Sequence, residues 1–335
     1  MVKSNIFLFV VIIFSLGGCY ESEPSRSEFV LNTVCTITLY DGGKPAVYRE
    51  IFARLREIED RMSVYSIGGD VNEINKSAGI KAVKVNGDVF EVIKTALRYA
   101  KLSDGAFDPT VEPLVSLWGI AGENPRVPAG EEIEEALALV NWRDIELNEE
   151  NGTVFLKRSG MALDLGAIAK GYAADEAARI IRKAGVKRAI IDLGGNILTV
   201  GEKKDRSPWK IGIQDPLDSR GVYIGIVEVG EKTVVTSGVY ERFFVADGIQ
   251  YHHIFSPKDG CPVRNGLLSV SIIADASIDG DALSTSAFVL GYDRGRVLVE
   301  SLGAEAIFVF EDQSIRLTRG VDFALDGNSY RIVSD

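Results

Sequence analysis

Residues 163–175 read LDLGAIAKGYAAD, an acidic residue and a turn of small residues followed by a lysine where a helix should open. A helix start leaves its first N–H groups unpaired and carries the positive end of the helix dipole, so it favours an anion. Glycine lets that anion approach the backbone closely. Gly166 and Gly171 supply the room and Lys170 the charge, a combination suited to phosphate. Many buried helices that bind nothing also open on glycine, alanine and one lysine, so the stretch gains its weight from company. Residues 103–118, 191–196, 237–262 and 279–286 are likewise polar and punctuated by glycine.

The first residues carry an address. Lys3 precedes an apolar run over 6–14 that closes on Ser15, Leu16, Gly17, Gly18 and Cys19. The run is too short to span a bilayer as a helix and reads as a secretory signal; an uncleaved membrane helix is the poorer alternative. Leu16-Gly17-Gly18-Cys19 also resembles the bacterial lipobox, in which cleavage leaves the cysteine as a lipid-bearing first residue. The expected division is a signal peptide over 1–18, a lipidated tether over 19–28 and one domain over 29–335. The expected location is a lipoprotein anchored through Cys19 and facing the periplasm. The inner membrane is the first choice, and Tyr20 beside the anchor leaves the sorting between membranes open. Cys35 and Cys261 fit no zinc spacing; they either pair or stand as separate thiols, and neither is expected to be catalytic. A formal charge of −11 argues against nucleic acid as a partner, so any phosphate must be held locally.

Val47, Ile51, Leu55, Ile58 and Met62 recur at helical spacing and predict an amphipathic helix over 46–61. Asp88 reads as the N-cap of a second, carrying Val89, Ile93, Ala96, Leu97 and Ala100. Further helices are expected over 131–140, 167–184, 281–290 and 294–301. β-Branched and aromatic runs predict strands over 33–40, 186–192, 209–214, 222–229, 233–236, 242–246, 268–274 and 304–310. The pattern is a mixed α/β or α+β domain with a largely antiparallel sheet and no dividing linker.

Five stretches, in order, resemble the ApbE family, the FAD:protein FMN transferases. They are SDGAFDPTVEPLVSLWG, LDLGAIAKGYAAD, IIDLGGNI, SGVYERFF running into YHHIFSPKDGCPV, and DGDALSTSAFVLG. The likeness covers nearly the whole chain after Cys19, and order and spacing match as well. It departs at Leu31-Asn32-Thr33, where the family usually has Met-Gly-Thr, and at Ser256-Pro257-Lys258-Asp259-Gly260, where Asp-Pro-x-Thr-Gly is familiar. The implied fold is ApbE-like, α+β, with a largely antiparallel sheet flanked by helices.

Splitting FAD at its pyrophosphate demands charge neutralisation, a base and a slot for a flat ring. Asp281 and Thr285 are four apart on one face of a predicted helix and offer hard oxygens suited to Mg²⁺; helix capping is their plain alternative. The resemblance adds the Ala167 carbonyl as a third ligand and assigns Asp281 to catalysis. It places His253 at the active centre, where a neutral imidazole suits proton removal near neutral pH, with His252 as second choice. Tyr65 stands where the family often stacks an aromatic on the flavin. Gly105, Ala106, Phe107 and Asp108 form a small-residue turn that a ring can approach. Asp164, Gly166, Lys170, Asp192, Gly194, Gly195 and Asn196 are expected to frame the nucleotide, though Asp192 and Asn196 also suit plain turns. Ser237, Gly238, Tyr240 and Arg242 are expected along the FMN side; Tyr240 and Arg242 equally suit hairpin packing.

The resemblance thus implies a lipoprotein that binds FAD with Mg²⁺, moves FMN onto a threonine or serine hydroxyl of an acceptor protein, and releases AMP. The acceptors implied are flavin-carrying subunits of Na⁺-translocating NADH:quinone reductase (Nqr) or Rnf-type complexes. The rivals are hydrolysis of FAD to FMN and AMP by the same site, and a binding protein without chemistry.

Overall fold

Leu267–Ala274 reads LLSVSIIA and is buried at every position, which an antiparallel strand achieves only when both faces of its sheet are covered. In the computed structural model, which describes residues 25–120, 122, 124–327 and 329–334, that strand lies inside a nine-stranded sheet. The order across the sheet is Ser25–Val30, Thr33–Leu39, Ala189–Leu193, Asn196–Val200, Thr233–Gly238, Leu267–Ala274, Glu305–Phe310, Ser314–Leu317 and Arg331–Ile332. Every pairing is antiparallel except the last, where Ser314 and Ile315 run parallel to Arg331 and Ile332.

Alternation along Glu305–Phe310 shows how the faces divide. Ala306 and Phe308 point into a large core shared with the helices Pro45–Met62, Gly87–Leu102, Ala169–Lys183 and Ser277–Ser301. Ile307 and Val309 point the other way, into a second core beneath the small sheet of Trp209–Gln214, Tyr223–Val229 and Phe323–Leu325. The result is helices on one side and a three-stranded sheet on the other. The hairpin Phe243–Ala246 with Ile249–His252 stands apart, its Phe244 and Tyr251 stacked at 5.3 Å over Trp118.

The mixed, largely antiparallel architecture matches the expectation from sequence, with differences that have physical causes. The edge strand starts at Ser25, inside the segment expected to be tether, because Ser25 and Ser27 pair with Thr38 and Thr36 through both backbone and hydroxyls. Asp88 does not cap its helix, which begins at Gly87; its carboxylate instead takes Arg54 and Arg61. Within Ser277–Ser301 the two expected helices do stand apart, broken at Gly291, whose φ of 76° and ψ of 175° are non-helical, and the first begins earlier than expected, at Ser277. The site helix starts at Ala169, leaving Ala167 in the turn ahead of it.

Cys35 and Cys261 are both free, and burial pushes the Cys35 thiol up to about 12, so it is inert. Among the described residues no helix is long and apolar enough to cross a membrane. The signal segment, Cys19 and the first tether residues lie outside the described residues.

Candidate active site

Gly171 explains why the mouth of the Ala169–Lys183 helix meets the start of Ser277–Ser301. A Cβ at Gly171 would sit 2.3 Å from the Ser277 carbonyl oxygen, so only glycine lets the two helices touch there. Asp175, one turn further on, accepts from the N–H groups of Ser277 and Ile278, both at 2.9 Å, and so caps the second helix. That junction carries Asp281 across to the first helix.

Asp281 is 3% exposed, and its Oδ2 accepts the Gly171 N–H at 2.8 Å. The Lys170 N–H bonds the same carboxylate. The mouth that sequence assigns to phosphate is therefore partly filled by a carboxylate from the protein itself. The other oxygen, Oδ1, faces the Lys170 ammonium at 3.9 Å. Burial pushes the Asp281 carboxyl up, and Lys170 with the two N–H donors pulls it back without reversing the effect. A buried carboxylate so thinly neutralised suits a cation. Among the described residues no three His, Cys, Asp or Glu side chains converge as a metal-binding group. A cation here would rest on Asp281 plus neutral oxygens, with the remainder from substrate phosphates and water, as Mg²⁺ commonly does. Thr285, one turn beyond Asp281 on the same helix, offers one such oxygen, and the turn ahead of Ala169 that holds Ala167 offers backbone carbonyls. The donor set fits the ion.

His253 and His252 separate cleanly. His252 is 6% exposed; its Nδ1 accepts from Ile254 N–H at 3.2 Å, so its Nε2 carries the proton and donates to the Val263 carbonyl at 2.8 Å. Both nitrogens are used by the backbone, which makes His252 a structural residue rather than the ligand contact expected. His253 places Nδ1 3.2 Å from the Arg242 carbonyl. A carbonyl only accepts, so Nδ1 holds the proton and Nε2 keeps its lone pair. Burial among protein atoms, with the charges of Arg242 and Lys170, lowers this imidazole to about 3, so it stays neutral. Lys170 thus bears on both Asp281 and His253.

Arg242 links the remaining members. Its charge acts on His253, Asp164 and Tyr65 alike. Tyr65 is 75% exposed, an open ring at the rim available for stacking. Asp164 accepts from Gly166 N–H at 2.7 Å, and burial pushes its carboxyl up. Glu112, which sequence reasoning passes over, is raised by burial and by Asp164, and its charge in turn acts on Tyr65. Its only sequence signal is a carboxylate inside the 103–119 motif.

Several expected contacts prove structural. Asp192 accepts from Gly195 N–H at 2.9 Å and closes the hairpin turn, where Gly194 and Gly195 both have positive φ. Gly194 lies against Thr33, whereas Gly195 opens to free space. Asn196 is 1% exposed, its Oδ1 accepting from Ser277 Oγ at 2.7 Å at the helix junction, while its Nδ2 has no hydrogen-bond partner among the described residues. Phe107, 3% exposed, turns into the core beside buried Ala106. Asp108 spends its carboxylate on Thr110 N–H, Thr110 Oγ1 and Trp142 N–H, and the Trp142 indole covers Gly105. This turn can offer a ligand backbone, not these side chains. Gly238 makes room for the Tyr240 ring, which would lie 2.4 Å from a Cβ there. Ser237 meets Thr285 at 3.2 Å, on the helix that carries Asp281. The positive-φ pair Leu31 and Asn32 forms the tight turn before Thr33, a conformation asparagine tolerates better than most residues.

Comparison with known proteins shows what the chain and its fold resemble. The model of the ApbE family matches residues 31–308. The chain is 35% identical over 340 residues to the FAD:protein FMN transferase of Treponema pallidum, covering 95% of this chain and 94% of that one. The crystal structure of the ApbE protein from Thermotoga maritima superposes with a TM-score of 0.82 at 36% identity, covering 88% of this chain and 96% of that one. The flavin transferase ApbE from Vibrio cholerae superposes with a TM-score of 0.77 at 28% identity, covering 90% and 96%.

Proposed function

The chain belongs to the ApbE family and is a flavin-transferring enzyme; from that premise we propose that it moves FMN from FAD onto a threonine or serine hydroxyl of an acceptor protein, forming a phosphoester and releasing AMP in a Mg²⁺-dependent reaction. The observation that carries this is the 2.8 Å contact between Gly171 N–H and Asp281, which sets the helix mouth and the late carboxylate side by side.

In this reaction the acceptor oxygen bonds to the FMN-side phosphorus, the bond from that phosphorus to the AMP phosphate breaks, and AMP leaves with the electron pair. His253 Nε2 receives the hydroxyl proton, its Nδ1–H held on the Arg242 carbonyl so that the ring cannot turn. The Lys170 ammonium, 3.9 Å from Asp281 Oδ1, would offset the charge that gathers on the pyrophosphate. Asp281, Thr285 and the Ala167 carbonyl would hold Mg²⁺, which supplies Lewis-acid polarisation of phosphate oxygens. Tyr65 offers its exposed ring to the isoalloxazine. The chain is anchored through lipid on Cys19 and faces the periplasm, near membrane-bound acceptors of the Nqr or Rnf kind.

Mixing the purified protein with FAD, Mg²⁺ and an acceptor domain should give a fluorescent acceptor band on a denaturing gel, and chelator should abolish it. Free FMN and AMP without labelled acceptor would assign hydrolysis instead; FAD retained uncleaved would assign a binding protein.

A further inference from the structure

Three hydroxyls beside Asp281 form a chain of which the reaction above uses only one. Ser237 Oγ lies 2.8 Å from Ser284 Oγ and 3.2 Å from Thr285 Oγ1. Ser284 is fully buried and donates to the Asp281 carbonyl at 2.9 Å. Each hydroxyl has a single proton to give. With Ser284 committed to that carbonyl, its oxygen must accept from Ser237. Ser237, its own proton spent, must then accept from Thr285. One backbone carbonyl therefore sets the direction of the whole chain, and Thr285 is left with lone pairs on its remaining side. Ser237 itself is fixed on the strand Thr233–Gly238, which is paired with Leu267–Ala274, so the acceptor does not drift.

We propose that Ser237 is a positioning residue that holds the Thr285 hydroxyl as an acceptor-only oxygen, ready to bind a divalent cation. This rests on the reading that Asp281 and Thr285 hold such a cation, and it replaces the flavin-side role expected for Ser237. Partners of this kind, which orient a metal ligand from behind, typically change affinity about 10–100-fold when removed.

The test is a titration of the purified full chain with Mn²⁺ followed by electron paramagnetic resonance, with melting temperatures recorded alongside. Ser237→Ala should weaken Mn²⁺ binding about 10–100-fold and raise the Mg²⁺ concentration needed for half-maximal rate, with a smaller change in rate at saturating Mg²⁺. Ser237→Thr keeps the hydroxyl and should restore binding. Ser284→Ala frees the Ser237 proton and should weaken binding in the same direction by less. Wild-type affinity in Ser237→Ala, or a folded Ser237→Thr that fails to restore it, overturns the proposal. If Ser237→Ala does not fold, wild-type affinity in Ser284→Ala overturns it equally. Asp281→Ala tells the two levels apart: unchanged Mn²⁺ affinity there removes the cation site itself, whereas its loss beside a normal Ser237→Ala removes only the role of Ser237.

Discussion

Asp88 and Asp281 are the same side chain, both nearly shut off from solvent, and both are tied to the Ala169–Lys183 helix, Asp88 through Arg54 and Glu176, Asp281 through the Gly171 N–H. Burial pushes the Asp88 carboxyl up, but Arg54 at 2.9 Å, Arg61 at 2.7 Å and the Val89 N–H more than offset it, so the carboxyl sits below its usual range. Arg54 also bonds Glu176 on the site helix at 3.0 Å and Glu57 on its own. At Asp281 the same burial meets one ammonium at 3.9 Å and backbone donors, and the carboxyl ends above its usual range. The first cluster is a finished strut between three helices. The second is incompletely neutralised by the protein, and the proposed function uses that incompleteness to take a cation and a pyrophosphate. Charge balance, more than acidity or burial, separates scaffold from site.

Asp281→Asn should have the largest effect. Transfer should fall by about a thousandfold or more, since a metal's polarisation of phosphate contributes several kcal/mol to the transition state, while the melting temperature stays at or above that of the wild type. Steady-state rates and calorimetry check both halves; near-normal turnover would erase the contrast. Arg54→Met should do the reverse. Breaking a buried pair costs about 3–5 kcal/mol of stability, read by denaturant unfolding, while the folded fraction keeps its transfer rate. Lost activity in folded Arg54→Met would mean the strut belongs to the site.

The smallest effect is on pH dependence, and its sign differs between the clusters. Asp88 has a folded pKa below the ordinary 3.8, so its stabilisation is fully present above 3.8 and is lost as pH falls through the folded value. Asp281 has a folded pKa above 3.8, so its ionised form weakens the metal-free protein, and stability is regained as pH falls from the folded value toward 3.8. The unfolding free energy of wild type relative to Asp281→Asn should therefore rise on acidification without metal and flatten with Mg²⁺. An unchanged slope on adding Mg²⁺ would place the ion elsewhere.

Much of the scaffold is legible in the sequence because one-sided burial leaves a period. The Pro45–Met62 helix shows Val47, Ile51, Leu55 and Ile58 on one face, and Trp209–Gln214 alternates cleanly. Asn196–Val200 escapes notice because it is buried on both sides and opens on the glycines that had been assigned to nucleotide binding. Glu112–Trp118 escapes because its seven residues give no full repeat. At the site, motif order identifies the residues but not their partners. The contact between Gly171 and Asp281 joins positions 110 apart, and nothing local encodes it. The two histidines look alike in sequence; only the backbone groups they meet, Val263 and Ile254 for one and Arg242 for the other, separate a ring with both nitrogens engaged from one whose Nε2 keeps its lone pair.

The decisive measurement is anomalous X-ray diffraction from crystals of the protein grown with FAD and Mn²⁺. A single strong peak should bridge the Asp281 carboxylate, Thr285 Oγ1 and the FAD pyrophosphate, at about 2.0–2.3 Å from each oxygen, with Lys170 against the same phosphates. Ordered FAD with the ion bound elsewhere, or with the pyrophosphate away from the Ala169 helix mouth, would contradict it.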